Sequence, residues 1–346
     1  MEGKQEDLYD VIVVGAGPIG LYATYYAGLR DMKVKVLESL NQVGGQLQAL
    51  YPKKYIYDVP GYPKILAEDL VKNLLEQASQ YHPTIVTESK VMDLKVREPL
   101  HIELTTEKGE KHFAKSVIIA AGAGAFMPRK LSIQDAEKLE GRGLYYVVHN
   151  PEDFKDKRIL IIGGGDSALD WSLTLAPIAK KIVHIHMLKQ FQGHEDSVKK
   201  LMAHPRVETH VHHQLKAIHG EEHVEAVTIV NSVDGSEKTI EVDAVLSFIG
   251  FITNLGPIKE WGVEIEGNAI KVDQNMQTNL PGVYAAGDIC SHPGKLKLIS
   301  TGFADAAIAV NNAKHFIEPK ARIYPGHSSH TVEKKQKKKE SERGQK

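Results

Sequence analysis

The sequence predicts an α/β fold of two Rossmann-like dinucleotide-binding domains, each a three-layer ββα arrangement, with the second inserted into the first. Three observations predict it. Two glycine-rich turns, VIVVGAGPIG at Val11–Gly20 and ILIIGGGDSA at Ile159–Ala168, each follow a β-rich run and precede a helical pattern. Each is followed by a second strand ending at a matched offset, Gly15 to Glu38 in the first copy and Gly163 to His186 in the second. Each copy then enters a meander and has its own buried strand, Val117–Ala121 and Val245–Gly250, so one plan occurs twice. The boundaries read as residues 1–120 with 250–330 for the first domain, 121–249 for the second, and 331–346 for a lysine-rich tail. Two such turns on one chain imply two nucleotides held face to face, one carrying electrons in and one passing them on.

Taken in order, Tyr9–Val14 is β-rich, Gly15–Gly20 turns, and Leu21–Leu29 carries helical spacing. Val34–Leu37 is the second strand and Leu66–Tyr81 an amphipathic helix. Val91–Val96, His101–Thr105 and Lys111–Phe113 read as a short antiparallel meander, separate from the buried strand Val117–Ala121. The loop AAGAGAF, residues 120–126, hands the chain to the second domain, whose strand-turn-helix unit starts at Arg158 and whose next strand is Lys181–His186. Val224–Val230 and Lys238–Val242 form its meander. After Phe251 the chain returns to the first domain through NLPGVYAAGDIC, Asn279–Cys290, and a helix over Ser300–Phe316. The charged tail TVEKKQKKKESERGQK carries too little apolar surface to fold and reads as disordered.

Composition narrows the class. A chain of 346 residues, 42% hydrophobic, can build two cores, and a formal net charge of −1 points to neither nucleic acid nor an anionic membrane. No apolar run approaches the roughly 18 residues of a spanning helix, and the acidic N-terminus lacks the features of a signal peptide. The expectation is a cytoplasmic protein without membrane contact. The single cysteine, Cys290, permits neither an internal disulfide nor a Cys-x-x-Cys redox pair, and suits a reducing compartment.

Gly15, Gly17 and Gly20 satisfy Gly-x-Gly-x-x-Gly, in which the first two let the backbone approach a pyrophosphate and the third lets helix pack on strand. Glu38 can accept hydrogen bonds from a ribose hydroxyl; taken alone, this site suits FAD or NAD. Gly163, Gly165 and Ala168 form the second turn and can cradle a nicotinamide dinucleotide. Here the strand ends in HIHMLKQFQGHE, residues 184–195. An acid would favour NADH by bonding the 2′-hydroxyl, and an arginine cluster would favour NADPH by binding the 2′-phosphate. Neither is present: Met187 and Leu188 are apolar, Gln190 and Gln192 neutral, and His184, His186, Lys189 and His194 are the nearby candidates for an anion. Asp288, at the end of an apolar strand, needs a polar ligand or donor nearby.

The segment TNLPGVYAAGD, ending at Asp288, looks like the second FAD fingerprint of flavoproteins with two dinucleotide domains. The chain resembles the pyridine nucleotide-disulfide oxidoreductase group, and within it the low-molecular-weight thioredoxin reductases. Those enzymes carry a redox Cys-x-x-Cys near the second glycine turn, which this chain lacks. With ESLNQVGGQLQALYPKKYIYDVPGYPK (Glu38–Lys64), PRKL, GGGDSALDW, TNLPGVYAAGDIC and PGHSS, it is similar almost end to end to the thioredoxin-reductase-like ferredoxin-NADP reductases of bacteria. The resemblance implies that Glu38 binds the adenosine ribose, Gln46 and Val91 contact FAD, and Asp288 holds its ribityl and pyrophosphate region. It implies that Tyr51 stacks on one face of the isoalloxazine, that Phe126 lies near the cofactor at the domain crossover, and that His327 and Ser329 cover the other face across a homodimer.

The implied activity is transfer of electrons from NADPH through FAD to ferredoxin or flavodoxin. NADH is the alternative donor, because Met187, Leu188 and Gln192 stand where the family usually has basic residues, often arginines. His186 and Lys189 are then the remaining candidates for dinucleotide contact on that strand end. Two rivals stay open, an NAD(P)H-dependent disulfide reductase or diaphorase with another small acceptor, and a non-catalytic flavin-binding redox sensor. Lys53, Lys54, Lys64 and Lys295 read as ordinary solvent-facing charge and define no docking surface.

Overall fold

A computed structural model describes residues 7–326, except the side chains of Ala125, Phe126, Met127 and Thr253. The chain forms two compact units: one runs to Ala125 and resumes at Asn254, and the other is Phe126–Thr253. Their hydrophobic cores follow the same division, with no residue common to both.

The first unit is built on parallel strands in the order Thr84–Val86, Val34–Leu37, Leu8–Val14, Lys111–Ile119. Leu8–Val14 is buried along most of its length, as a strand covered on both faces requires. The two short segments read from the sequence as separate strands, Lys111–Phe113 and Val117–Ala121, are one strand of nine residues, Lys111–Ile119. One edge pairs throughout with Leu8–Val14. The other edge changes partner midway, from antiparallel His101–Thr106 to parallel Val283–Ala285. The burial pattern changes with it, half-exposed before Ser116 and fully buried after, which is why a local reading splits the strand. At the changeover the buried Ser116 hydroxyl donates to the Gly282 carbonyl at 2.8 Å.

The first helix is Pro18–Leu29, three residues longer at its start than the apolar spacing predicts. Proline at the first helical position has a suitable φ and no N–H to leave unpaired. Gly20, Ala23, Ala27 and Gly28 make its buried face flat; a Cβ at Gly28 would lie 2.3 Å from that of Tyr81. The helix Ile299–Ile317 packs beside it, with Gly302 against Ile19. Arg30, at the end of the first helix, donates to the carbonyls of Arg322 at 2.8 Å and Ile323 at 3.1 Å, which ties the segment after the last helix to the body of the unit.

The second unit repeats the plan. Its parallel strands run in the order Leu144–Tyr145, Ala244–Ser247, Arg158–Ile162, Lys181–His186, Val207–Val211, with the helix Asp166–Leu175 following the glycine turn. A separate antiparallel layer is formed by His213–His219, Ala226–Asn231 and Glu237–Glu241. Ala125–Pro128 and Phe251–Asn254 pair with each other where the chain enters and leaves. None of the described helices is long and apolar enough to cross a membrane.

His184 sits fully buried in the strand Lys181–His186. Its Nε2–H donates to the Gly163 carbonyl at 2.9 Å, and the Ser172 hydroxyl donates to Nδ1 at 2.8 Å. Burial pushes its pKa from 6.5 down to about 4, so the folded chain refuses a proton that the unfolded chain accepts. Stability from His184 is therefore complete above pH 6.5 and falls as pH drops towards 4, by about 3 kcal/mol at the acid end. With Trp261→Phe leaving Trp171 as reporter, urea unfolding of the second unit should show this slope, and His184→Gln should flatten it.

Candidate functional site

Both glycine turns lie at the C-terminal ends of parallel strands, the position at which open α/β sheets take their ligands. Gly15 has φ +101°, and a Cβ there would sit 2.6 Å from the Ala120 carbonyl oxygen. A Cβ at Gly20 would sit 1.9 Å from the Gly15 carbonyl oxygen. The protein itself demands these two glycines. Gly17 differs: its backbone is ordinary extended chain, and the nearest atom to a Cβ would be Gly45 Cα at 4.0 Å. Gly17 is also the N-cap of Pro18–Leu29 and supplies no side-chain cap. An uncapped helix N-terminus beside open space is what a dinucleotide pyrophosphate needs.

The second turn divides in the same way. Gly163 has φ +149°, and its Cβ would lie 2.5 Å from the Phe248 carbonyl oxygen. Gly165 is the uncapped N-cap of Asp166–Leu175 and has no atom within 4 Å of a Cβ. Ala168, fully buried, takes the place of the third glycine.

The first strand end clamps its turn. Glu38 is 4% exposed; its Oε2 accepts from Ala16 N–H at 2.7 Å and its Oε1 from Leu40 N–H at 2.9 Å. Gly44 N–H donates to the Ala16 carbonyl at 2.8 Å, bringing the short helix Gly45–Leu50 onto the turn. That helix carries Gln46, whose Nε2 lies 3.5 Å from where a Gly122 Cβ would be. Val91 is buried at the head of Val91–Glu98, two residues after Ser89, whose N–H donates to the Glu38 carbonyl at 2.8 Å.

Tyr51 follows the short helix and is half-buried. Burial pushes its phenol up to about 12, and the negative charges of Asp288 and Asp58 push the same way. Asp288, in the turn Gly287–Ile289, is half-buried, and its carboxylate has no hydrogen-bond partner among the described residues. Burial raises its pKa above the usual carboxylate range, Lys295 and Lys297 pull it down, and Asp305 adds to the rise. A half-buried acid without a donor fits a ligand hydroxyl.

Asp305 is the residue that local reading misses. It is 5% exposed, accepts from Gly287 N–H at 3.1 Å and is ion-paired to Lys295. Lys295 is thus not the solvent-facing charge expected; its side chain is 7% exposed and holds the buried acid. The signal was a single acid within the small and apolar run STGFADAAIAV of Ile299–Ile317. Cys290 is buried, donates to the Gly287 carbonyl at 3.2 Å, and burial pushes its thiol up to about 12.

The second strand end is built differently. His186 is 7% exposed and stacks on Phe191, ring centroids 5.5 Å apart and planes at 19°. Its ring lies against Gly164, where a Cβ would come within 2.2 Å of Cε1. Gln192 and Gly193 fold back so that their N–H groups donate to the Gly164 carbonyl at 2.7 and 3.1 Å. Lys189 is exposed and makes no ion pair among the described residues. His184, weighed as an anion contact, is core instead. Phe126 lies on the strand Ala125–Pro128, while His327, Ser329 and the lysine-rich tail fall outside the described residues.

Two glycine turns, each on its own parallel sheet and each with a bare helix N-terminus, define a protein organised to hold two dinucleotides. The chain belongs to the pyridine nucleotide-disulphide oxidoreductase family, whose model matches residues 9–313. It is 54% identical over 337 residues to ferredoxin--NADP reductase 2 of Chloroherpeton thalassium, covering 96% of this chain and 98% of that one. It is 49% identical over 327 residues to ferredoxin--NADP reductase of Geobacillus thermodenitrificans, covering 94% and 98%. Among solved structures it is similar to thioredoxin reductase of Lactococcus lactis, with a TM-score of 0.78, 26% identity and coverage of 89% of this chain and 99% of that one. Thioredoxin reductase of T. acidophilum gives 0.79 and 27%, covering 89% and 98%.

The two kinds of glycine should separate by mutation. Gly17→Ala should change unfolding stability by less than about 1 kcal/mol while weakening flavin retention, whereas Gly15→Ala should cost more than about 2 kcal/mol. Denaturation with and without added FAD, alongside flavin content on purification, measures both. Equal destabilisation by the two variants would remove the ligand as the reason for Gly17.

Proposed function

We propose that the chain is an FAD-dependent oxidoreductase that moves electrons between a nicotinamide dinucleotide and ferredoxin or flavodoxin. The observation that carries this reading is the half-buried Asp288 carboxylate, without a hydrogen-bond partner among the described residues, in the unit that also bears the bare N-terminus at Gly17. A second bare N-terminus at Gly165 offers a place for the other dinucleotide. Relatives 54% and 49% identical that carry the name ferredoxin--NADP reductase support the choice of protein partner. The disulfide-reductase alternative is disfavoured, because the single cysteine is buried and held protonated.

FAD held by these residues would supply the redox chemistry, coupling two-electron exchange with a nicotinamide to one-electron exchange with a carrier. The chain's own residues bind and orient. Gly15, Gly17 and Gly20 admit the pyrophosphate to the helix N-terminus, and Glu38 fixes the turn through Ala16 and meets the ribose. Gln46 and Val91 flank the same turn. Asp288 accepts from a ribityl hydroxyl, and Tyr51 gives an aromatic face that excludes water while its hydroxyl stays protonated at neutral pH. Gly163, Gly165 and Ala168 hold the nicotinamide dinucleotide. Roles for Phe126, His327 and Ser329, and the homodimer that would bring the last two to the flavin, rest on family resemblance alone.

Purified protein should carry FAD, have it reduced anaerobically by a nicotinamide dinucleotide, and pass electrons to ferredoxin in a cytochrome c-coupled assay. Retained flavin that neither NADH nor NADPH reduces would make it a sensor, and activity confined to thioredoxin would make it a disulfide reductase. Asp288→Ala should weaken FAD binding by about 10- to 100-fold, the worth of one charge-assisted hydrogen bond of about 1.5–3 kcal/mol.

A further inference from the structure

Resting on the reading of the second turn as the nicotinamide site, we infer that this site selects NADH over NADPH and that His186 is the residue that meets the adenosine ribose. In dinucleotide folds the end of the strand after the glycine turn reads the 2′ substituent, a hydroxyl in NADH and a phosphate in NADPH. A phosphate at that place is recognised by charge-assisted donors, above all arginine.

The second turn offers almost none. Met187 and Leu188, the residues directly after the strand, are 55% and 43% exposed and apolar. Gln190 and Gln192 are exposed and neutral, and no arginine occurs between Arg158 and Arg206. Those two arginines stand at the N-terminal ends of their strands, away from the turn, Arg158 paired with Asp243 and Glu241 and Arg206 bonded to the carbonyls of Pro177 and Ala179. Between the end of this strand and Arg206 the lysines are Lys189, Lys199 and Lys200, the last of them paired to Asp196. Against them stand Asp166, in the first turn of Asp166–Leu175 with Oδ1 accepting from His194 N–H at 2.8 Å, and Glu195 and Asp196 in the first turn of the next helix. A dianion placed here meets as much negative charge as positive.

His186 gives the site its positive character as an NADH reader. It is more than nine-tenths buried, and its Nε2 has no hydrogen-bond partner among the described residues. The ring is fixed between Phe191 and Gly164, the middle residue of the turn that the dinucleotide approaches. Burial lowers its pKa, opposed by a bond to the backbone of Gln190, so the imidazole is neutral at physiological pH. A neutral ring nitrogen matches a hydroxyl, which can donate or accept, and is a poor partner for a phosphate dianion. The unpartnered Nε2 leaves one polar group at this strand end for the 2′-hydroxyl to satisfy when a dinucleotide is seated on the turn. Glu38 occupies the corresponding strand end in the first unit, so the two turns read their riboses from the same place with different chemistry.

Isothermal titration of the purified holoenzyme with NAD+ and with NADP+ tests this without turnover. NAD+ should bind at least about tenfold more tightly than NADP+, the difference expected when one or more charge-assisted phosphate contacts are missing. Met187→Arg with Leu188→Arg, both at exposed positions, should shift the preference towards NADP+ by about tenfold or more. His186→Ala should weaken NAD+ binding, and His186→Gln, which keeps a hydrogen-bonding group, should recover part of it; melting temperatures establish that each variant is folded. Tighter binding of NADP+ by the unmutated protein overturns NADH selection and leaves the nicotinamide site standing. Unchanged NAD+ affinity in a folded His186→Ala overturns the role of His186. If neither dinucleotide binds, and neither reduces the flavin, the reading of the second turn fails and the inference with it.

Discussion

Everything in this molecule depends on how closely two backbones can cross at the end of a parallel sheet. At Gly15 the crossing partner is the Ala120 carbonyl, and at Gly163 it is the Phe248 carbonyl, each within 2.6 Å of where a Cβ would stand. That contact forces a left-handed glycine and turns the chain directly from strand into helix. It leaves the residue two positions on, Gly17 or Gly165, as an uncapped helix start facing open space. Steric necessity and ligand affinity are thus assigned to different glycines of one motif. The first glycine closes the fold, and the second keeps a partial positive charge accessible to an anion.

Beyond the turns the two copies diverge through one side chain each. Glu38 uses both carboxylate oxygens on backbone N–H groups, so its charge is spent on holding the turn as well as on facing a ligand. His186 does the holding by contact instead, its ring filling the space that a side chain at position 164 would need. Gly164 is therefore required by His186, and a non-glycine residue is tolerated at the equivalent Ala16 because Glu38 reaches round it by hydrogen bonding. The same repeated backbone carries an acid-lined site in one unit and a site with a neutral imidazole in the other.

Much of this could be read from the residues in order. The strands Val34–Leu37 and Lys181–His186 run as their patterns indicate, and the apolar runs leading into the turns are strands to within a residue. What local patterns miss are features set by distant partners. Lys111–Ile119 changes character midway because its neighbour changes from an antiparallel to a parallel strand. Lys295 resembles any surface lysine until Ile299–Ile317 folds back and places Asp305 beside it. The strands Val207–Val211 and His213–His219 carry three histidines and few large apolar residues, a weak local pattern, and are held by pairing with Lys181–His186 and Ala226–Asn231.

The pairing of Lys295 with Asp305 also explains how an acid can remain available at the turn Gly287–Ile289. Asp305 anchors the turn through Gly287 N–H, so Asp288 has no structural duty of that kind and keeps its lone pairs. Two carboxylates this close would repel, and burial already raises the Asp288 pKa; the cations Lys295 and Lys297 oppose both effects. Cys290, in the same turn, donates to the Gly287 carbonyl, and burial holds its thiol protonated, which makes it a poor nucleophile. The turn thereby presents Asp288 as an unengaged acceptor beside Asp305 and Cys290, which are occupied. That is the arrangement that favours orienting a bound cofactor over performing acid–base or thiol chemistry, and it leaves electron transfer as the activity this unit is equipped to support.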